Sequence, residues 1–327
     1  RDYAVTGVQT CALPILVGFP TETVYGLGAD GLDGEAVKLI FQAKGRPQDN
    51  PLILHVDSVE MAEQLVLEIP ASERSCIERF WPGPLTILFK RREIVPDIIT
   101  AGLDTVAIRM PSHPVALELI RQSGTPIAAP SANTSGKPSP TRAEHVLEDM
   151  DGKIPMILNG GETGVGLEST VLDLTGFTPM ILRPGGVTLD QIRELLPSTI
   201  IDPAIEAGQE KLIPRAPGQK YRHYAPRAQM KLVTGENNRV VEEIIRLAEE
   251  AELEGMKVGI MSCAENRNRY FDYLVSDMGS AADKETIAHR LFHIIRELDR
   301  ADVDLILCEA VGEDDIGLAI MNRLMKA

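Results

Sequence analysis

The sequence predicts a mixed α/β protein with two domains, and three observations indicate this class. The chain has 327 residues, more than one ordinary hydrophobic core accommodates. Short apolar runs alternate with stretches of helical spacing from residue 16 to about 197, and this alternation resumes from 230 to 327. Prolines punctuate the segment in between. We therefore predict a first domain at 16–197, a linker at 198–229 and a second, smaller domain at 230–327.

The predicted first domain contains four apolar runs of strand length and two stretches with apolar residues at helical spacing. We predict strands at 52–56, 85–90, 105–109 and 125–130, and helices at 35–43 and 114–122. Asp33 and His113 stand near the two helix starts. Thr188 and Gln191 have the spacing of a capping box, which predicts another helix start.

The predicted second domain alternates strands and amphipathic helices in the same way. We predict strands at 230–235, 257–262 and 303–310, and helices at 238–254 and 286–298. Strands separated by helices favour a parallel sheet, so we expect a small parallel sheet with packed helices.

The first fifteen residues show neither helical nor strand periodicity. No sustained apolar segment follows a basic start, which disfavours a signal peptide. We predict that 1–15 is a non-native leader outside the folded domains.

Composition excludes several classes of function. No apolar run approaches the roughly 20 residues of a membrane span, so no membrane association is expected. The net charge of −15 disfavours strong direct binding to nucleic acid, which needs clustered Lys and Arg. The four cysteines are scattered along the chain, which indicates a reducing compartment and predicts a cytoplasmic protein.

Three segments indicate a nucleotide site: PTETVYGLGAD at 20–30, KGRP at 44–47 and SANTSG at 131–136. Each joins an apolar run to a turn rich in Thr, Ser, Asn or Gly, which offers hydroxyl and backbone N–H groups to an anion. Lys44 and Arg46 add fixed positive charge. The glycine fingerprints of the common phosphate-binding loops are absent from the sequence, so any nucleotide is held in another way.

Individual candidates in these segments have structural alternatives. Ser131 and Asn133 also suit a turn or a helix cap, and Lys44 with Arg46 also suits the end of a helix. His55 lies in an apolar strand, where a buried, hydrogen-bonded histidine is the ordinary interpretation.

Further candidates stand at strand ends or on a helix. Arg109 at a strand end suits a carboxylate ligand, and Ser169 and Arg183 occupy similar strand ends. His289 and His293 have the spacing of metal ligands on a helix, but a third ligand is not evident, so no metal site is predicted there.

The second half of the linker is basic, because no acidic residue stands between Lys211 and Lys231. The segment PGQKYRHYAP places phosphate-seeking and stacking groups between prolines. A solvated spacer is one interpretation. The other is a lid over a nucleotide, formed by Lys220, Tyr221, Arg222, His223 and Tyr224.

Taken in order, PTETVYGLGAD, KGRP, PLILHV, WPGPLT, AIRMP, SANTSG, GLESTV, LRPGG and PGQKYRHYAP resemble the threonylcarbamoyl-AMP synthase family. The resemblance runs from about residue 16 to the end and is to the long form of the family. It implies a YrdC-like mixed α/β catalytic domain followed by a smaller Rossmann-like α/β domain. The implied reaction converts L-threonine, bicarbonate and ATP to threonylcarbamoyl-AMP and pyrophosphate, with Mg²⁺ assisting. The product is used for tRNA modification by a downstream threonylcarbamoyl transferase.

The resemblance also implies roles for individual residues, with Lys44 and Arg46 as the catalytic pair. Those matching positions around the nucleotide are Lys44, Arg46, Ser131, Asn133, Ser169 and Arg183. Those matching positions around threonine and its carbamate are Thr21, Thr23, Tyr25, His55 and Arg109. No protein nucleophile is expected, because positioning and charge neutralisation accomplish most of a transfer at phosphorus.

Two other classes of function share such a domain. An RNA-binding module is disfavoured by the acidic charge. A carbamoyl-transfer enzyme would carry additional zinc-binding or acylphosphatase-like segments, and none is visible in the sequence.

Overall fold

The computed structural model describes residues 15–206, 214–215 and 224–327. The predicted leader therefore lies outside the described residues except for Ile15, and so do Lys211 and the lid residues Lys220, Tyr221, Arg222 and His223. No helix in the described part of the chain is long and apolar enough to cross a membrane.

Within these residues, ten strands form one mixed sheet in the order β10-β9-β8-β4-β5-β3-β6-β2-β1-β7. The strands are β1 Val17–Phe19, β2 Gly26–Asp30, β3 Ile53–His55, β4 Leu85–Lys90, β5 Thr105–Arg109, β6 Ile127–Ala128, β7 Met156–Ile157, β8 Thr170–Asp173, β9 Met180–Arg183 and β10 Ile200–Ile201. Pairs β3/β5, β4/β8, β1/β7 and β9/β10 are parallel, and the other neighbours are antiparallel. This is the predicted mixed α/β architecture.

Several helices of this first domain begin at residues whose side chains cap them. They are α1 Gly34–Lys44, α2 Val59–Leu65, α3 Ala71–Phe80, α4 Asp97–Thr100, α5 Pro114–Ser123, α6 Ala143–Met150, α7 Leu189–Arg193 and α8 Pro203–Glu206. The Asp33 carboxylate accepts from two backbone N–H groups of α1, and the His113 ring accepts from one of α5. Thr188 and Gln191 form the predicted capping box at α7.

The second domain is built on a parallel sheet, which for the described residues has the order β11-β14-β12-β13. Its elements are β11 Gln229–Val233, α9 Asn237–Leu253, β12 Val258–Cys263, a 3-10 helix at Arg267–Tyr270, β13 Leu274–Gly279, α10 Lys284–Arg300, β14 Leu305–Glu309 and α11 Gly317–Leu324. The small parallel sheet with packed helices is confirmed. Strand β13 and helix α11 add to the predicted elements.

One boundary differs from the sequence prediction. Strand β10 follows residue 197, the predicted end of the first domain, and pairs in parallel with β9. The large sheet therefore extends into the predicted linker at 198–229. The prolines of this segment predicted a linker, and the strand is only two residues long, which is too short to give a periodic pattern.

Helices α10 and α11 of the second domain dock against the first domain. The Arg296 guanidinium on α10 donates to the Pro138 carbonyl at 2.6 Å and pairs with Asp149 at 2.8 Å. The His293 ring stacks on His145 with the centroids 5.4 Å apart. These contacts are buried and polar, so they fix the orientation of the two domains as well as their distance.

A glycine permits the closest approach of the two domains. Gly166 has φ +81°, and a Cβ added there would lie 2.4 Å from the Cα of His289. Only a residue without a side chain fits such a contact.

We expect Gly166→Ala to lower the free energy of unfolding by more than about 2 kcal/mol, because the methyl group separates α10 from the first domain. Gly176→Ala is the matched control, since nothing lies within 4 Å of its added Cβ. The control should stay within about 0.5 kcal/mol of the parent in urea denaturation. Equal stability of the two variants would show that the contact at Gly166 is not tight.

Candidate active site

An open cavity lies on one face of the large sheet, next to the second domain. It encloses about 660 Å³ of space, including its open mouth. Ile53 and His55 are two positions apart on β3, so their side chains point to the same face, and both line the cavity. The cavity is therefore lined by segments from the start and from the end of the first domain, such as those of Thr21 and Arg183.

The cavity brings together nine of the eleven predicted nucleotide and threonine residues. These are Thr21, Thr23, Arg46, His55, Arg109, Ser131, Asn133, Ser169 and Arg183. Tyr224, the last of the predicted lid residues, also lines it. The wall is therefore rich in hydroxyl groups and in guanidinium groups, which suits an anionic ligand with several oxygens.

Hydroxyl groups line one side of the cavity, on the loop before β2. The Thr21 and Thr23 hydroxyls lie 2.8 Å apart, and Thr21 donates to the Val24 carbonyl. Arg109 at the end of β5 donates to the Thr23 hydroxyl at 2.8 Å and pairs with Glu22 at 2.6 Å. Arg109 is therefore held by contacts within the protein. These contacts orient the loop that carries Thr21 and Thr23.

His55 is a buried neutral imidazole on the cavity wall. Burial lowers its pKa to about 3, and the positive charge of Arg109 contributes to the decrease. Its Nδ1 atom is buried and has no hydrogen-bond partner among the described residues. A buried polar atom without a partner at a cavity wall is available to a ligand.

Guanidinium and ammonium groups line another part of the cavity, which we call its cationic side. They are Arg46 after α1, Lys137 after the SANTSG loop and Arg183 at the end of β9. Arg183 donates to the Ser169 carbonyl and to the Ser169 hydroxyl, at 2.9 and 3.1 Å. Arg183 therefore fixes Ser169, which also bonds to Thr86.

Lys44 is placed differently from its prediction, because it does not line the cavity. Its Nζ donates to the carbonyls of Ser131 and Asn133, each at 2.5 Å, beneath the SANTSG loop. Burial lowers the pKa of Lys44 well below its usual value, and the charge of Arg46 adds to this. The geometry gives Lys44 the role of holding the loop, and direct contact with a nucleotide stays a prediction.

Tyr25 also lies beneath the cavity wall. Its hydroxyl donates to the Gly161 carbonyl at 2.7 Å and accepts from the Gly160 N–H. The ring is fully buried, so Tyr25 ties the β2 loop to the segment before β8.

Four residues of the site were missed in the sequence: Glu22, Lys137, Ser139 and Glu168. Ser139 donates to Glu168 at 2.5 Å inside the cavity wall. Glu22 and Glu168 stand beside chosen residues in PTETVYG and GLESTV. An acidic residue next to a hydroxyl residue of an anion site was the available signal, because buried guanidinium groups need counter-charges.

His289 and His293, which have the spacing of metal ligands on α10, both contact the first domain. His293 bonds to His145, and the described residues contain no cluster of three or more His, Cys, Asp or Glu that could hold a metal ion. The thiols of Cys76, Cys263 and Cys308 are free and buried.

Comparison with known proteins agrees with this geometry. A family model described as "Telomere recombination" (Sua5, YciO and YrdC) matches residues 15–185, and one described as "Threonylcarbamoyl-AMP synthase, C-terminal domain" matches 187–327. The threonylcarbamoyl-AMP synthase of Pyrococcus abyssi is 52% identical over 95% of this chain and 90% of its own length. That of Bacillus subtilis is 47% identical over 95% of this chain and 89% of its own.

A solved structure extends the similarity to the whole fold. The crystal structure of Pyrococcus abyssi Sua5 complexed with L-threonine superposes with a TM-score of 0.91 at 52% identity, covering 96% of this chain and 90% of that one. Both domains and their arrangement are shared at this level of similarity. The chain therefore belongs to the Sua5 family of threonylcarbamoyl-AMP synthases, in the form that carries a YrdC-like domain and a C-terminal Sua5 domain.

Proposed function

We propose that this protein is an L-threonylcarbamoyladenylate synthase that forms threonylcarbamoyl-AMP and pyrophosphate from L-threonine, bicarbonate and ATP. One observation carries the proposal. A single cavity is lined by two threonine hydroxyls, a neutral imidazole and four cationic side chains. That set of groups suits a small amino acid beside a polyphosphate. The related Pyrococcus abyssi protein was solved with L-threonine, which supports the amino-acid half.

The nucleotide is proposed to bind along the cationic side. Arg46, Lys137 and Arg183 face the same space, so they neutralise the phosphates together. The Asn133 Oδ1 atom is buried without a hydrogen-bond partner among the described residues and is available to a donor of the nucleotide. Ser131 adds a hydroxyl donor at the cavity wall.

Threonine is proposed to bind along the hydroxyl side. Thr21, Thr23 and His55 offer hydrogen bonds to a carbamate and to a small hydroxylated side chain. Arg109 supplies positive charge behind them, although Glu22 already pairs with it. The Arg109–Glu22 pair therefore sets the local charge on the threonine side.

The chemistry follows from this placement. The amine of threonine captures bicarbonate or CO₂ as a carbamate, and a carbamate oxygen attacks the α-phosphorus and displaces pyrophosphate. Cleavage between the α- and β-phosphates makes the reaction a nucleotidyl transfer. The chain orients the two substrates and stabilises the developing charge, which needs no covalent intermediate with the protein.

Mg²⁺ is proposed to enter with ATP. Glu168, the carboxylate of the cavity lining, is already bonded to Ser139 and Arg323. The described residues therefore do not fit a protein cage for the ion, and Mg²⁺ bound through phosphates and water is the ordinary alternative. The labile product is proposed to pass to a transferase that modifies tRNA, and a cytoplasmic location stays a prediction.

Threonine-dependent release of pyrophosphate tests the function directly. We expect release when ATP, Mg²⁺, bicarbonate and L-threonine are all present, and none when threonine or bicarbonate is omitted. Arg46→Ala should lower kcat/KM at least tenfold, because Arg46 lines the cationic side. Thr188→Ala, at a distant helix cap, should retain activity within about twofold. Release that ignores threonine would contradict the proposal.

Variants of two lysines on α1 distinguish support of the SANTSG loop from a general effect of positive charge. Lys44→Met leaves two buried carbonyls unpaired, at a cost of about 1–3 kcal/mol each, so we expect lower stability and at least a tenfold loss of kcat/KM. Lys38→Met removes only an exposed pair with Glu35 and should change neither quantity measurably. Equal effects of both variants in unfolding and activity assays would refute the role given to Lys44.

His55 makes stability depend on pH. Its pKa is about 3 in the folded protein and about 6.5 for an ordinary histidine, so the unfolded chain binds the extra proton between these values. The free energy of unfolding therefore falls as pH decreases below 6.5, by up to about 1.4 kcal/mol per unit from this group. His55→Gln should flatten that dependence in urea denaturation at pH 7, 6 and 5. An unchanged slope would show that His55 is not buried as a neutral ring.

A further inference from the structure

Arg323 on α11 reaches from the second domain into the wall of the cavity. Its side chain is fully buried. The Nε atom pairs with Glu168 at 3.0 Å, and Nη1 donates to the Pro184 carbonyl at 2.7 Å. Arg323 does not line the cavity, but its partner Glu168 does, and Pro184 directly follows Arg183.

Glu168 depends on this contact for its charge. Burial alone would raise the pKa of Glu168, but the charges of Arg323 and Arg183 hold it below its usual range. The carboxylate also accepts from the Ser139 hydroxyl at 2.5 Å. Glu168 precedes Ser169, so a shift of its backbone would move a residue assigned to the nucleotide.

The same guanidinium lies beside the Tyr224 ring. The Arg323 Cζ is 5.7 Å from the centroid of that ring, and Phe292 of α10 stacks against it with the centroids 5.1 Å apart. Tyr224 has φ +64°, a conformation that residues with side chains rarely adopt without support from their surroundings. Two residues of the second domain thus hold the last residue of the predicted lid.

We propose that Arg323 is a positioning residue for the reaction: it fixes the Glu168 carboxylate and the Tyr224 ring at the cavity wall, so that docking of the second domain completes the active site. This inference rests on the proposed function. It assigns the second domain a part in catalysis through a side chain that is 155 positions from its partner. Arg323 does not touch the substrates itself.

Arg296 provides a matched control for domain docking. It is also a buried arginine of the second domain that binds a carboxylate and a proline carbonyl of the first. Its partner Asp149 does not line the cavity and keeps a second cation, Lys137, at 2.9 Å. Loss of Arg296 therefore weakens docking, and it reaches the cavity only through Lys137, whose pair with Asp149 it leaves in place.

The test compares Arg323→Met, Arg323→Lys and Arg296→Met in the full chain, by thermal unfolding and by kinetics of pyrophosphate release. Both methionine variants should unfold at lower temperature. Arg323→Met should lower kcat/KM at least tenfold, and Arg296→Met less than threefold. Arg323→Lys keeps the positive charge, so it should retain most of the kcat/KM that Arg323→Met loses. Equal losses of activity in the two methionine variants would reduce Arg323 to a docking residue and overturn the proposal.

Two further measurements keep the test decisive. If Arg323→Met does not fold, a cycle of Arg323→Gln and Glu168→Gln replaces it, and we expect the double variant to be no worse than Glu168→Gln alone. Additive losses would overturn the proposal. If the parent protein releases no pyrophosphate, the proposed function fails, and crystal structures of the variants decide instead. Glu168 and Tyr224 should move in Arg323→Met and keep their places in Arg323→Lys, and unchanged positions in Arg323→Met would overturn the inference.

Discussion

The site depends on one buried contact, between the Lys44 amino group and two backbone carbonyls of the SANTSG loop. That contact joins the end of α1 to the turn after β6, which are far apart in the sequence. Gly45 follows in a left-handed conformation and turns the chain so that Arg46 faces the cavity. The helix, its cap and the loop are therefore one unit, and the cationic side of the cavity is aligned by it.

A second set of buried charges lies in and behind the cavity wall. Arg109 pairs with Glu22 at the proposed threonine side, and Arg323 pairs with Glu168 at the proposed nucleotide side. Each pair buries a guanidinium against a carboxylate, and such pairing is the condition under which charges are tolerated away from water. The active site is thus a polar layer held between a mixed sheet and two helices of the second domain.

Much of this fold was predictable from local pattern. Strands β4 and β5 occupy the predicted residues, because apolar and β-branched side chains mark them clearly. Helices α1 and α5 begin at the capping residues that the sequence shows. The segments of the family resemblance also meet in one cavity. Strand β10 was not predicted, because a two-residue edge strand leaves no periodic signal.

Pairing between distant residues was the part that the sequence did not reveal. Arg323 and Glu168 meet only because the second domain docks, and no local pattern distinguishes Arg323 from an exposed helical arginine. Lys44 was predicted from the sequence as a nucleotide-binding residue, but its burial beneath the loop required the three-dimensional arrangement. Charge type was readable from the sequence, whereas the partner of each charge was not.

A crystal structure with L-threonine and a non-hydrolysable ATP analogue would show whether both substrates share this cavity. We expect threonine against Thr21, Thr23 and His55, and phosphates against Arg46 and Arg183. The threonine amine should then lie on the side of the α-phosphate. Density for the nucleotide outside this cavity, for example beside the loop after β11, would contradict it.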